Sequence, residues 1–163
     1  MKIIDFFKKL GKARMDKTEL AILRISMLIA ALDGDVSKAE IDEFRRLAEG
    51  CEGYSKEETD KAFVDTLRSA GYLMLVARVA ERESLLDSFV LEAEKLLPVL
   101  ADFGSGGVQG AVGVWKEMAA ADGDFAEVEQ KAIERLEELL EARNRAQACA
   151  AGMGMCDGGA FAI

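Results

Sequence analysis

The sequence predicts an all-α protein, a single-domain helical bundle of about seven helices. Apolar residues recur at intervals of three and four along most of the 163 residues, and β-branched residues form no alternating runs. The chain contains only one proline. An acidic stretch occurs twice, which predicts that the bundle has two pseudo-symmetric helix-turn-helix halves.

Three segments are predicted along the chain. Residues 1–16 form an amphipathic N-terminal segment in which Ile3, Phe7 and Leu10 share one side of a short helix. Residues 17–148 form the helical domain, and residues 149–163 form a tail of small residues that is expected to fray. Packing of the N-terminal segment on the bundle is favoured over membrane docking, because so short a helix offers little apolar area to a membrane.

The first helix of the domain is predicted over residues 18–32 and should be enclosed, since it is apolar on almost every side. Gly34 suits the left-handed backbone conformation just past a helix end. Ser37 is then expected to cap the next helix, with Glu40 at its third position completing a capping box. The buried side of that second helix is predicted to contain Ile41, Phe44, Leu47, Ala48 and Cys51.

Further helices follow the same logic. Ser55 and Glu58 predict a second capping box at the start of the next helix. Gly71 is predicted to follow that helix. A long amphipathic helix should then extend towards residue 100, with an end or kink near Leu97 because Pro98 lacks an amide proton. Residues 104–110, rich in glycine, are expected to be a flexible connector. Helices are predicted over residues 112–121 and from 125 to about 145.

Composition excludes several classes of function. A net charge of −9 would repel nucleic acid, and the basic residues form no stripe. The absence of histidine removes the commonest general base and metal ligand. The apolar runs fall far short of the roughly 20 residues that span a bilayer, and the three cysteines show no paired spacing. A soluble cytoplasmic protein with reduced thiols is therefore expected, with peripheral association at the inner membrane as an alternative.

The repeated stretch contains the candidate site. Aligning residues 31–49 with 120–138 gives eight identities in nineteen pairs. The acidic residues retained in both copies are Asp33, Asp35 and Glu40 in the first and Asp122, Asp124 and Glu129 in the second. Carboxylates suit hard cations such as Ca²⁺ or Mg²⁺, but neither copy has the glycine and glutamate at the sixth and twelfth positions of an EF-hand loop. A divalent cation would therefore need both turns together.

Two copies of Ala-x-Asp-Gly-Asp, each with a glutamate five residues after the second aspartate, resemble the tellurite-resistance TerB family. The resemblance extends over roughly residues 18–145. It implies an all-helical bundle in bacterial stress-response systems, with a role in divalent-metal-dependent or membrane-associated signalling, and it implies no catalytic activity. The family positions that match are the six carboxylates named above.

Three interpretations remain at this point. The first is a non-enzymatic stress-response module that binds a divalent cation between the acidic turns, and a protein partner is expected for it. The second is a helical scaffold that docks on a protein or a membrane surface, in which the turns are purely structural: Asp-Gly ends a helix, and a first-turn glutamate is favoured by capping and by the helix dipole. The least favoured is a metal-assisted hydrolase, since histidine is absent.

Overall fold

The computed structural model describes residues 16–34, 36–100, 104–121 and 127–150, together with Gly152. These residues form seven helices and no strand, which confirms the all-α prediction. In chain order the helices are α1 (Lys17–Ala31), α2 (Lys38–Glu49), α3 (Lys56–Val79), α4 (Arg82–Glu94), α5 (Leu97–Leu100), α6 (Gly104–Ala121) and α7 (Glu127–Ala150). Most of the two predicted terminal segments, residues 1–16 and 149–163, lies outside the described residues, and residues 149–150 belong to α7.

Helix α1 lies at the centre of the bundle, as its apolar sequence predicts. It packs against α3, α4, α5 and α7. Burial extends to nearly all its side chains from Leu20 onwards, and Leu23 and Ile25 have no exposed surface. Enclosure of α1 on several sides removes its apolar side chains from water, which favours the folded state.

The corner between α1 and α2 follows the sequence closely. Gly34 has a φ of +74°, which places it in the left-handed region where a side chain would be strained. The Ser37 Oγ accepts the Glu40 amide at 3.2 Å, while the Glu40 Oε2 accepts the Ser37 amide at 2.9 Å. The predicted capping box is therefore confirmed, and Phe44 and Ala48 are buried beneath it.

Helix α3 begins with the second predicted capping box, formed by Ser55 and Glu58. It continues through Gly71 to Val79, so the glycine that was predicted to follow this helix lies inside it. The later turns of α3 leave Tyr72, Leu75 and Val79 exposed to solvent. The apolar stretch after Gly71 is thus only partly used by the core.

Lys95 and Leu96 separate α4 from a single short turn, α5, which contains Pro98. The long helix ends at Glu94, slightly before the position near Leu97 that the proline predicts, and Pro98 itself lies in α5. Proline is tolerated in a first helical turn, where its missing amide proton has no intrahelical partner to lose. Leu96 and Leu97 are both buried at this joint.

The prediction of a flexible connector at residues 104–110 is wrong. These glycines form the first turns of α6, which pairs closely with α7. Helix–helix packing overrides low intrinsic helix propensity here, and the Gln109 side-chain amide donates to Glu141 across the pair at 3.3 Å.

Trp115, further along α6, is fully buried, and its Nε1 donates to the Ile22 carbonyl of α1 at 3.4 Å.

Charged side chains join α4 to α7 at the surface. Arg82 pairs with Glu127 at 2.8 Å, and Arg135 pairs with both Glu83 and Asp87. Glu83 and Asp87 are exposed, so these contacts direct packing more than they stabilise it. None of the described helices is both long and apolar enough to span a bilayer.

The expectation of reduced thiols holds for one described cysteine and is wrong for the other. Cys51 is a free, buried thiol at the end of α2. Cys149, near the end of α7, is disulfide-bonded. An odd number of cysteines without paired spacing does not reveal which thiols meet in the fold, and that is why the sequence was misleading here.

Candidate functional site

The first acidic turn is placed by the end of α1 and the capping box of α2. Asp33 is exposed in the turn, where its backbone amide donates to the Ala30 carbonyl at 3.3 Å. Glu40 occupies the third position of α2 and is only 6% exposed. Asp35 lies outside the described residues.

In the second copy only the glutamate is described. Glu129 occupies the third position of α7 and is 4% exposed. Asp122 and Asp124 lie outside the described residues. The two glutamates therefore share the same helical position and the same burial, although Ser37 of the first copy is replaced by Ala126 in the second.

Burial of both glutamates is unusual, since a carboxylate is seldom removed from water unless something compensates for its charge. For Glu40 the capping box and the positive end of the α2 dipole supply part of that compensation. Helix α7 offers Glu129 the same dipole, without a serine hydroxyl at the preceding cap. The two positions are thus alike in burial, although the serine that precedes the first helix is replaced by alanine in the sequence before the second.

Among the described residues, no three acidic or cysteine side chains are close enough to share a metal ion. Three of the six predicted ligands lie outside those residues, so the paired arrangement stays a prediction. The packing around the two turns also differs: α2 packs on α3, whereas α7 packs along α6 and α4. The predicted pseudo-symmetry of the two halves likewise stays a prediction.

A second polar site, which the sequence did not predict, is a cavity of about 410 Å³ between α1, α3 and α4. Arg24 enters it from α1 and Thr66 and Ser69 from α3, while Glu92 and Lys95 form the wall at the end of α4. The available signal was Arg24, the only charged residue of α1 between Leu20 and Ala31. The contacts of Arg24 could not be inferred from the sequence, because the alignment of α1 with α3 depends on tertiary packing.

Hydrogen bonds hold the walls of this cavity in place. The Arg24 Nε donates to the Thr66 Oγ1 at 2.8 Å, and that hydroxyl donates to the Ala62 carbonyl at 2.7 Å. Opposite, the Glu92 Oε2 accepts from the Ser69 hydroxyl at 2.6 Å and from the Lys95 ammonium at 2.9 Å. All these side chains are therefore oriented by the protein.

Two pKa values in the cavity respond to this arrangement. Burial lowers the pKa of Arg24, and the nearby Asp65 carboxylate opposes that change. Burial alone would raise the pKa of Glu92, but the hydrogen bonds from Ser69 and Lys95 outweigh it, so the Glu92 pKa is lowered. The lowered pKa of Glu92 favours its ionised form, and this carboxylate lines the same cavity as the half-buried Arg24.

Comparison with known proteins identifies one family. A family model described as "Tellurite resistance protein TerB" matches residues 19–151, most of the chain. Neither the curated proteins nor the solved structures include a significant match. The matched region begins within α1, includes both acidic turns and extends just past the end of α7.

Proposed function

The chain belongs to the TerB family of tellurite resistance proteins, and from that premise we propose that it is a non-enzymatic stress-response module that binds a divalent cation through its two acidic turns. The observation that supports this most directly is the matched burial of Glu40 and Glu129. The second copy retains the buried glutamate although alanine replaces the serine that precedes the helix in the first copy.

The proposed ligands are Asp33, Asp35 and Glu40 with Asp122, Asp124 and Glu129. Six carboxylates brought together would repel one another and resist ionisation unless a cation were bound among them. Oxygen ligands of this kind suit Ca²⁺, Mg²⁺ or Mn²⁺ better than softer metals. Cation binding would then stabilise the folded protein by mass action.

Calorimetry and thermal unfolding with Ca²⁺, Mg²⁺ and Mn²⁺ test the proposal. We expect one cation to release or absorb heat and to raise the unfolding temperature, and both effects to disappear in the double variant Asp35→Asn plus Asp124→Asn. Glu58→Gln is the matched control, because Glu58 completes an equivalent capping box outside the acidic turns. No response in the wild-type protein, or an undiminished response in the double variant, would refute the site.

A second candidate function is a helical interaction scaffold, and a groove between α4 and α7 favours it. This groove, of about 480 Å³, has Val90, Leu91 and Leu139 as its apolar lining, with Arg135 and Glu138 beside them. Leu91 is 62% exposed, a large apolar surface to leave in water. An amphipathic helix of a protein partner has the matching chemistry.

Photocrosslinking in cells distinguishes this scaffold function. A photoreactive residue at position 91 should give a discrete adduct, whereas one at the exposed position 60 of α3 should not. Absence of an adduct at position 91 would argue against the groove.

The membrane form of the scaffold predicts that removing residues 1–12 reduces co-sedimentation with liposomes. Equal, negligible binding of the full chain and the shortened chain would contradict it.

A further inference from the structure

Arg24 has binding capacity that the fold does not use. Its Nε is occupied by Thr66, whose own hydroxyl proton is committed to the Ala62 carbonyl. The two terminal amino groups of Arg24 make no hydrogen bond or ion pair with the described part of the chain. Four N–H donors of a half-buried guanidinium are therefore held in a fixed direction at the edge of the cavity.

The charges around the cavity sum to one excess positive charge, and Asp65 lies near both Arg24 and Arg68. Glu92 is paired with Lys95 at 2.9 Å, and Asp65 lies 3.9 Å from Arg68. Three basic and two acidic side chains thus line a cavity with a local excess of positive charge, in a protein whose net charge is −9. This local charge is opposite in sign to the net charge of the protein, and it would attract an anion into the cavity.

The geometry also indicates the kind of anion. A guanidinium presents parallel N–H donors that match the two oxygens of a carboxylate or phosphate group. A volume of about 410 Å³ exceeds that of a bare oxyanion and falls within the range of sites for small organic ligands. On the opposite wall, Ser69 and Glu92 offer oxygen atoms that can accept from a hydroxyl or amino group.

We propose that the cavity between α1, α3 and α4 binds a small organic anion whose carboxylate or phosphate group is held by the terminal amino groups of Arg24. Arg68 and Lys95, whose side chains are 77% and 66% exposed, stand at the solvent side of the cavity and attract the ligand. This site is separate from the acidic turns and does not depend on cation binding there.

NMR titration of the full chain tests the proposal with two probes, succinate for the carboxylate and glycerol 3-phosphate for the phosphate. We expect saturable shifts of the Arg24 Nε–H and of the Thr66 and Ser69 amides with at least one probe. Preference for one probe identifies which group the site takes. Sodium chloride at equal ionic strength should not reproduce the shifts.

Substitutions distinguish an Arg24 that binds the ligand from an Arg24 that has only a structural role. Arg24→Gln should weaken binding about tenfold or more through loss of a charged two-point contact, whereas Arg78→Gln, on an exposed turn of α3, should leave it unchanged. If circular dichroism shows that Arg24→Gln does not fold, Thr66→Val provides the test instead. This variant keeps the charge of Arg24 and removes the hydroxyl that orients its guanidinium. Unchanged affinity in the folded variant, or no saturable shift with either probe, would overturn the proposal.

Discussion

Arg46 and Arg135 are identical residues at matched positions of the duplicated stretch, yet they make different ion pairs. Arg46 contacts Glu43 one turn earlier in its own helix. Arg135 reaches from α7 to α4, where it donates to Glu83 at 2.6 Å and to Asp87 at 2.9 Å. One copy of the duplicated arginine thus supports a helix locally, and the other joins two helices.

Replacing Arg135 by glutamine should reduce the free energy of unfolding by up to about 1 kcal/mol, because a two-acceptor contact between helices is lost from a surface position. The loss should shrink in high salt, which screens exposed charges. Urea unfolding at low and high salt measures both effects. Arg46→Gln is the matched control and should cost less, and equal losses for the two variants would contradict the proposed difference.

Ser37→Ala should destabilise the protein more than Ser55→Ala. Both serines complete capping boxes of similar geometry, and losing an N-cap hydroxyl typically costs about 1 kcal/mol. The reciprocal carboxylate of Glu40 is buried, whereas that of Glu58 is exposed and can be resolvated. Chemical unfolding followed by circular dichroism ranks the variants, and the reverse order would show that burial of Glu40 does not depend on its cap.

Ser69→Ala should raise the pKa of Glu92 towards its ordinary value, because it removes one of the two hydrogen bonds that lower it. A carboxyl whose pKa is lowered on folding adds stability above the unfolded pKa, and loses it as pH falls through the folded value. The variant should therefore lose less stability than the wild-type protein between about pH 7 and about pH 3. Carboxyl ¹³C NMR follows Glu92 directly. The exposed Ser84→Ala is the control, and an unchanged Glu92 pKa in Ser69→Ala would be inconsistent with the contact.

Cys51 should react slowly with iodoacetamide near neutral pH. Burial, with smaller effects of nearby carboxylates, raises its pKa to about 11, so almost no thiolate is present. The stability associated with the neutral thiol is complete below its ordinary pKa of about 8.5 and is lost as pH rises through the folded value. Mass spectrometry of the Cys51 peptide compares native and urea-unfolded protein. Equal rates in the two states would contradict this assignment.

Local signals predicted much of the fold. The capping box at Ser37, the left-handed Gly34 and the apolar surroundings of α1 depend on neighbouring residues, and each could be recognised in the sequence. The start of α6 could not, because seven residues rich in glycine have low helix propensity and become helical through pairing with α7. A tertiary contact decided that segment against its local preference.

The two candidate sites differ in the same way, since one depends on local sequence signals and the other on tertiary contacts. The positions of Glu40 and Glu129 near the starts of their helices follow from a sequence pattern that recurs in two places, whereas their burial was not predicted. The Arg24 cavity depends on a contact with Thr66, 42 residues away, and on the arrival of α4 opposite them. No short-range pattern relates these residues, so the only signal in the sequence was a charged residue, Arg24, within the mainly apolar part of α1.

Trp115 is the only tryptophan in the chain, and its burial against α1 gives the protein a natural spectroscopic reporter. Its emission depends on whether α6 is seated on α1, because the indole leaves an apolar environment for water when the two helices separate. Helical circular dichroism, by contrast, depends on all the helices. A red shift of the tryptophan emission that precedes the loss of helical signal during unfolding would therefore reveal a state in which the α6–α7 pair has detached while the rest of the bundle persists.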